Sequence, residues 1–294
     1  MNKLQTINNV YRNFAMEVLA GDEDFIVHTH ENGCSLSFDF SKVYWNSRLQ
    51  NEHTWLVDSF GQDELVVDAF AGVGPFALPA GKKGCAVMAS DLNPASAEAL
   101  AANAKANKLT HTVRTFNEDA RAFIRRSPLD VWTAPFAPFT PPLSSKERSR
   151  AARAAREAKA APADGSAPAP TSAPTPATPT SSGPERKLID HFVMNLPASA
   201  IEFLDAFNGL YRELYKVEGA REAVKAKGKL PMVHCYCFTK EVETAAEDIL
   251  AVSGARSNGW TVVARPACTM LTTRPCLIAA RNCGAWFPGD ERHN

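Results

Sequence analysis

A chain of 294 residues with 45% hydrophobic side chains can bury a full core, and one large domain with additions is the simplest count. Lys plus Arg equals Asp plus Glu at 32 each, so global charge gives no support for nucleic-acid binding, and an RNA site must come from local asymmetry. No stretch approaches the roughly 20 continuous apolar residues of a membrane span, and the amino terminus has no basic-then-apolar signal, which points to a soluble intracellular protein.

Residues 3–20 place Val10, Phe14, Val18 and Leu19 at helical spacing, with Arg12 among them, and predict a helix. FIVHTHENGCSLSFDF then alternates on either side of Glu31-Asn32-Gly33, the Asn-Gly signature of a tight hairpin. Helix and hairpin, residues 1–45, form an N-terminal subdomain that leads into the main sheet and is too small to be a domain of its own. In KVYWNSRLQNEHTWLVDSF, Ser47 and Gln50 read as a capping box, so a helix is expected to start near Arg48. Arg48 and Glu52 then share one helical face, with Tyr44 just before the turn. They are either an exposed ion pair or part of a site.

Residues 65–93, LVVDAFAGVGPFALPAGKKGCAVMASDLN, follow the order strand, tight loop, helix, strand, acid, which is the first half of a nucleotide-binding α/β sheet. Ala71-Gly72-Val73-Gly74 turns sharply and lets a ligand approach without a Cβ in the way, while Asp91 closes the second strand with a carboxylate suited to two ribose hydroxyls. A dinucleotide fold wants a third glycine where Ala77 stands, and a phosphate loop wants Gly-Lys-Ser or Gly-Lys-Thr, which is absent. The pattern D-x-F-x-G-x-G, carried by Asp68, Phe70, Gly72 and Gly74, instead resembles motif I of the class I S-adenosylmethionine methyltransferases. The bland alternative is a surface turn between two buried strands.

Asn93-Pro94 supplies an N-cap and a first-turn proline for a helix running to Leu109, and a strand is expected over 112–116. Asp119 is placed either to accept from a purine amine or to cap a helix over 120–126, and the two roles are compatible. Residues 134–186 are dominated by Ala, Pro, Ser and Thr and read as a disordered insertion, whose basic block KERSRAARAAREAK is a solvated linker, a helix or a contact for RNA phosphates. The fold resumes at LIDHFVMNLPASA, a strand ending in Asn195, followed by a helix over 200–216, a strand over 231–238, a helix over 240–253 and strands near 259–265 and 275–281. This succession predicts an α/β, Rossmann-like class I methyltransferase fold over 46–294, with a seven-stranded, mostly parallel sheet and an antiparallel last strand. Seven cysteines scattered through these strands read as reduced thiols. In His234-Cys235-Tyr236-Cys237 both cysteines share one strand face without a second ligand pair, so core packing is expected there and no metal.

Taken together, VYWNSRLQNEH, DAFAGVGPFALPA, SDLNP, NEDAR and HFVMNLPASAIEFLDAF resemble the tRNA (guanine-N1)-methyltransferases of the archaeal and eukaryotic type, which modify the guanosine at position 37, just 3′ of the anticodon. The resemblance covers the chain except for the insertion. It implies S-adenosylmethionine as cofactor, the tRNA anticodon loop as partner, and a monomer in the cytoplasm, nucleus or mitochondrial matrix. Tyr44, Arg48 and Glu52 fall on the family's tyrosine, arginine and glutamate, and Arg12 on a further arginine near the target base. His53, Asp91-Leu92, Asp119-Ala120 and Asn195 match its cofactor-contacting positions. Members usually begin with a separate small domain that grips the outer corner of tRNA, and this chain starts too late to contain it.

The expected chemistry follows from the base. Neutral guanosine carries a proton on N1, so Glu52 is assigned as general base, with Arg48 and Arg12 offsetting charge on the guanine oxygen and Asn195 beside the reacting methyl. Ala198 stands where amine methyltransferases of the Asn/Asp-Pro-Pro-aromatic type stack a base, which favours a ring nitrogen held by polar contacts. The rival assignments are an aminocarboxypropyl transferase of the wybutosine pathway, which uses the same cofactor, and a non-catalytic RNA-binding adaptor.

Overall fold

Apolar runs without alternation belong in strands covered on both faces, and Leu65–Asp68 and Ala86–Ser90 are buried at every position. The computed structural model describes residues 2–3, 16–139, 145–146, 149–150, 152–153, 183–196, 199–238, 260–266 and 275–282. Its strands are β1 (Asn2–Lys3), β2 (Met16–Glu17), β3 (Ile26–Glu31), β4 (Cys34–Asp39), β5 (Leu65–Asp68), β6 (Ala86–Ser90), β7 (Val113–Phe116), β8 (His191–Met194), β9 (Met232–Phe238), β10 (Trp260–Pro266) and β11 (Pro275–Asn282). Seven of them form one sheet in the order β10-β11-β9-β8-β5-β6-β7. The five from β7 to β9 are parallel, and β11 runs antiparallel between β9 and β10. The predicted α/β sheet with its antiparallel last strand is therefore present. From β5 the chain steps outward through β6 to β7, then crosses back to β8 on the other side of β5. That reversal opens a crevice beyond the carboxyl ends of β5 and β8.

Helices α1 (Gln50–Asp58), α2 (Ala77–Lys83), α3 (Pro94–Ala106), α4 (Ala120–Thr133) and α5 (Ala220–Lys227) flank the sheet. Alternation divides each strand between two cores: Leu65 and Val67 face Phe123, Ile124 and Phe207, whereas Val66 faces Leu56, Phe76, Leu78 and Leu100. Cys235 and Cys237 lie together in the first core, as their spacing requires. The β3–β4 hairpin turns through Asn32 and Gly33, both at positive φ (49° and 74°), which suits the right-handed strand twist. Its Cys34, Leu36 and Phe38 join the second core. Asn103 and Asn107 of α3 and its cap accept from the backbone N–H groups of Ser37 and Ser35 at 2.8 and 2.9 Å, so the hairpin edge is satisfied by the methyltransferase body itself.

Four sequence expectations need correction. The helix expected over 3–20 is corrected at its ends, where Asn2 pairs with Glu17 and Lys3 with Met16 in an antiparallel ladder, while residues 4–15 lie outside the described residues. The first turn near Arg48 is capped by Asn46, which accepts from Arg48 N at 3.1 Å, and Ser47–Leu49 is a 3₁₀ turn ahead of α1. The helix expected over 200–216 is a 3₁₀ helix, Ala200–Phe207, broken where Gly209 takes φ 71°. It is followed by a short 3₁₀ turn and by α5, which the sequence reading missed. Helix α4 runs past Ser127 to Thr133 with Pro128 inside, because Ser127 Oγ donates to the Ile124 carbonyl that the proline leaves without its usual partner. The helix expected over 240–253 lies outside the described residues.

The insertion is also narrower than its composition suggests. Phe136 and Arg186 exchange two backbone hydrogen bonds of 3.0 Å, Phe136 is buried under the Arg114 guanidinium, and Arg186 donates to the Gly84 carbonyl at 2.7 Å. Both ends of the insertion thus leave the core at one point. Excising residues 140–182 with a short Gly-Ser bridge is expected to leave the thermal midpoint within a few degrees, whereas Phe136→Ala should cost about 3–5 kcal/mol in a urea melt. Collapse of the excised protein would show the insertion to be structural.

Candidate active site

Three backbone turns build the floor of the crevice. Asp91, at the end of β6, accepts from Gly72 N at 2.8 Å through Oδ2 and from Asn93 N at 2.9 Å through Oδ1, so the glycine loop and the acid are one hydrogen-bonded unit. Burial pushes the Asp91 carboxyl above its ordinary range, against these two N–H groups that favour the charged form. Asn93 caps α3 through Ala95 N while its amide donates to the Lys42 carbonyl, tying the segment after the hairpin to the same corner. Asp119 caps α4 by accepting from Arg121 N and Ala122 N at 2.9 and 3.2 Å, both through Oδ1.

Above this floor lies a cavity of about 350 Å³, within the size range of small-molecule sites. Phe70 and Gly72 contribute from the first loop, Asp91 and Leu92 from the second, Asp119 and Ala120 from the third. Asn195 after β8 closes one side, and Tyr44 and His53 come from the segment before β5. Nine of the sequence-derived residues therefore meet at one cavity. Gly72 has φ 52° and a Cβ added there meets no atom within 4 Å, so the added methyl would enter the cavity itself.

Other expected residues stand behind or beside the wall. Gly74 has φ 106°, and a Cβ there would sit 2.7 Å from Leu78 Cγ and 2.9 Å from Leu100 Cδ1; it is a packing glycine and is not among the residues that line the cavity. Gly74→Ala is expected to cost about 2–4 kcal/mol in a urea melt, strain plus overpacking. Gly72→Ala should cost only about 1 kcal/mol of stability yet weaken ligand binding measured by calorimetry. Equal effects of the two substitutions on both measurements would contradict this division.

Asp68 is likewise behind the wall. It is fully buried, accepts from Phe70 N at 3.3 Å, and finds no partner for Oδ2 among the described residues. Desolvation, with repulsion from Asp91, pushes it to about 8 despite the Phe70 bond, so it is a neutral carboxyl at pH 7 that shapes the turn. The folded state then holds a proton that the unfolded chain releases near pH 4, so Asp68 lowers stability progressively as pH rises from about 4 to about 8. Asp68→Asn is expected to remove that negative slope from the pH profile of unfolding free energy. A profile parallel to the parent protein's would show that Asp68 titrates normally.

Arg48 and Glu52 do not line the cavity, and Arg12 lies outside the described residues. Glu52 is partly buried on α1, one residue before His53. Its charge, after burial, raises the Tyr236 phenol, whose ring packs 5.8 Å from Phe76; Phe76 in turn meets the His53 ring edge-on at 4.7 Å. Glu52 is thus at the same end of the sheet as Asp91 and Asn195.

Two contributors were missed by the sequence reading. Arg121 donates to both Asp205 oxygens at 3.0 and 3.2 Å and to the Glu202 carbonyl at 2.9 Å, and lies 4.1 Å over the Phe203 ring, which meets Phe70 edge-on. It fastens the 3₁₀ helix after β8 to α4 as the fourth wall. Glu31, read only as a turn residue, is buried with its Oε1 2.5 Å from His53 Nδ1.

Comparison with known proteins agrees with this geometry. Residues 27–132 match the profile of the TRM5/TYW2 methyltransferase domain. The chain is 46% identical over 250 residues to a tRNA (guanine(37)-N(1))-methyltransferase of Coprinopsis cinerea, covering 83% of this chain and 50% of the relative. Over 245 residues it is 42% identical to the Schizosaccharomyces pombe protein of the same name, covering 82% and 49%. The chain thus spans about half the length of these relatives. Among solved structures, Pyrococcus abyssi Trm5b superposes with a TM-score of 0.56 at 21% identity over 95% of this chain and 62% of that one. TYW2 of M. jannaschii, solved in complex with AdoMet, gives 0.52 at 17% identity over 91% and 90%. These two likenesses show that the chain shares the fold of both structures. No helix among its described residues is long and apolar enough to cross a membrane.

Proposed function

We propose that this chain transfers a methyl group from S-adenosylmethionine to N1 of guanosine 37 in tRNA. The observation that carries the reading is the union of the Gly72 loop, Asp91 and Asn195 around one cavity at the strand crossover, in a domain whose relatives named above bear that activity. The donor set fits the cofactor: a carboxylate for a ribose, Phe70 and Leu92 for a purine, a loop whose missing Cβ leaves room for the ligand, and, among the described lining residues, Arg121 alone as a basic group, already paired with Asp205. His53, Phe70, Gly72, Asp91, Leu92, Asp119, Ala120 and Asn195 hold it. Bound there, the cofactor supplies a methyl group on a cationic sulfur, an electrophile that needs no metal.

The chain's own work is then proton removal and positioning. Glu52 accepts the N1 proton of guanine as the new bond forms, since N1 in neutral guanosine has no free lone pair in the ring plane. Arg48, one turn earlier, and Arg12 offset negative charge growing on the guanine oxygen, and Tyr44 holds the base at the cavity mouth. An anticodon-loop base reaches this mouth because single-stranded nucleotides splay out without melting a duplex. The test is labelled cofactor with tRNA transcripts carrying G or another base after the anticodon. Label confined to G37 supports the reading, and label independent of that base rejects it. The profile shared with TYW2 keeps one alternative in play, transfer of an aminocarboxypropyl group from the same cofactor, and product mass separates the two adducts.

A further inference from the structure

Two polar residues occupy positions that the local patterns reserve for apolar ones. On β3 the inward face carries Val27, Thr29 and Glu31, and Glu31 is the most buried of the three. On α1 and just beyond it the buried stripe is His53, Leu56, Val57 and Phe60, spaced for one helix face. A carboxylate and an imidazole in such places are costly unless each satisfies the other. They do so across 22 residues of sequence, Glu31 Oε1 to His53 Nδ1 at 2.5 Å, with both side chains at most 4% exposed. The neighbouring residues repeat the contact: Thr54 Oγ1 donates to Asn32 Oδ1 at 2.6 Å, and Lys82 Nζ donates to the Gly33 carbonyl. The hairpin turn therefore grips α1 at residues 53 and 54, immediately after Glu52.

His53 is also a wall of the cavity, with Phe76 against its ring and Trp45 beyond. With Nδ1 committed to Glu31, Nε2 is the one ring nitrogen left for anything that enters. The geometry points to Glu31 as a positioning residue for the transfer reaction: its carboxylate holds the His53 imidazole in the Nδ1–H form at the cavity wall, and the turn around it sets the part of α1 that carries Glu52. This rests on the methyltransferase reading for its consequence and on the Glu31–His53 contact alone for its cause.

The experiment uses the full chain with ¹⁵N-labelled histidine, the parent protein beside Glu31→Gln and Glu31→Ala, and His53→Gln to assign the ring. In the parent, Nδ1 is expected to carry the proton and Nε2 to be the acceptor. Glu31→Gln keeps an acceptor of the same shape and should retain this tautomer while lowering the single-turnover methylation rate severalfold. Glu31→Ala should move the proton to Nε2 and lower the rate at least tenfold, with cofactor affinity by calorimetry falling in step. Should Glu31→Ala not fold, the Glu31→Gln rate decides. A folded variant with rate and affinity within twofold of the parent overturns the proposal, whatever its spectrum. A parent protein that shows the Nδ1–H tautomer but neither binds cofactor nor methylates tRNA overturns the methyltransferase reading and leaves the contact established.

Discussion

Glu52→Ala is expected to lower the single-turnover rate of methyl transfer by roughly 100- to 10,000-fold, the usual worth of a positioned general base. Cofactor affinity should hardly change, because Glu52 stands beside the cavity and not in its wall. Glu52 is partly buried and near enough to the buried Tyr236 to raise its phenol, which puts the carboxylate close to the carboxyl end of β9. Glu52→Gln should behave like the alanine variant, since it keeps the shape and removes the basicity. A rate that is unchanged at several pH values removes Glu52 as the base, and the N1 proton must then leave by another route.

Asp91→Ala should weaken cofactor binding by roughly 100-fold or more, as expected when two hydrogen bonds to a charged acceptor, each worth about 1.5–3 kcal/mol, are lost. The loss has two sources that a second variant separates. Asp91 is expected to receive the ribose hydroxyls, and it also holds Gly72 N and Asn93 N, so alanine both removes the acceptor and releases the loop. Asp91→Asn leaves one carbonyl oxygen in place and should fall between the parent and the alanine variant. Calorimetry with the cofactor reads both. Affinity indistinguishable from the parent's would remove the ribose assignment and leave Asp91 as a strut for the loop.

Much of this site could be read before any coordinates because its parts are local. Asn32-Gly33 sets a turn through positive φ, Asn93-Pro94 caps a helix, and an apolar run ending in an acid after a glycine loop fixes where strand, loop and carboxylate must lie. What stayed hidden depends on partners remote in the chain. Arg121 is unremarkable until Asp205, 84 residues later, is beside it, and Glu31 sits in a turn signal strong enough to mask that its register points inward. Phe136 was hidden by composition, since a window dominated by Ala, Pro, Ser and Thr hides one aromatic that belongs to the core. Gly72 and Gly74 show the reverse limit: one motif names both, and only the surroundings tell a glycine that admits a ligand from one that admits leucines.

The paired backbones of Phe136 and Arg186 act as a closed doorway, a post at which both ends of the intervening segment meet. Chain length beyond such a post is cheap, because doubling a tethered loop costs only about 0.6 kcal/mol in closure entropy. A passenger such as a fluorescent reporter or an affinity module is therefore expected to be tolerated there, beside Gly84 and the amino end of β6 and away from the cavity at the carboxyl ends of the strands.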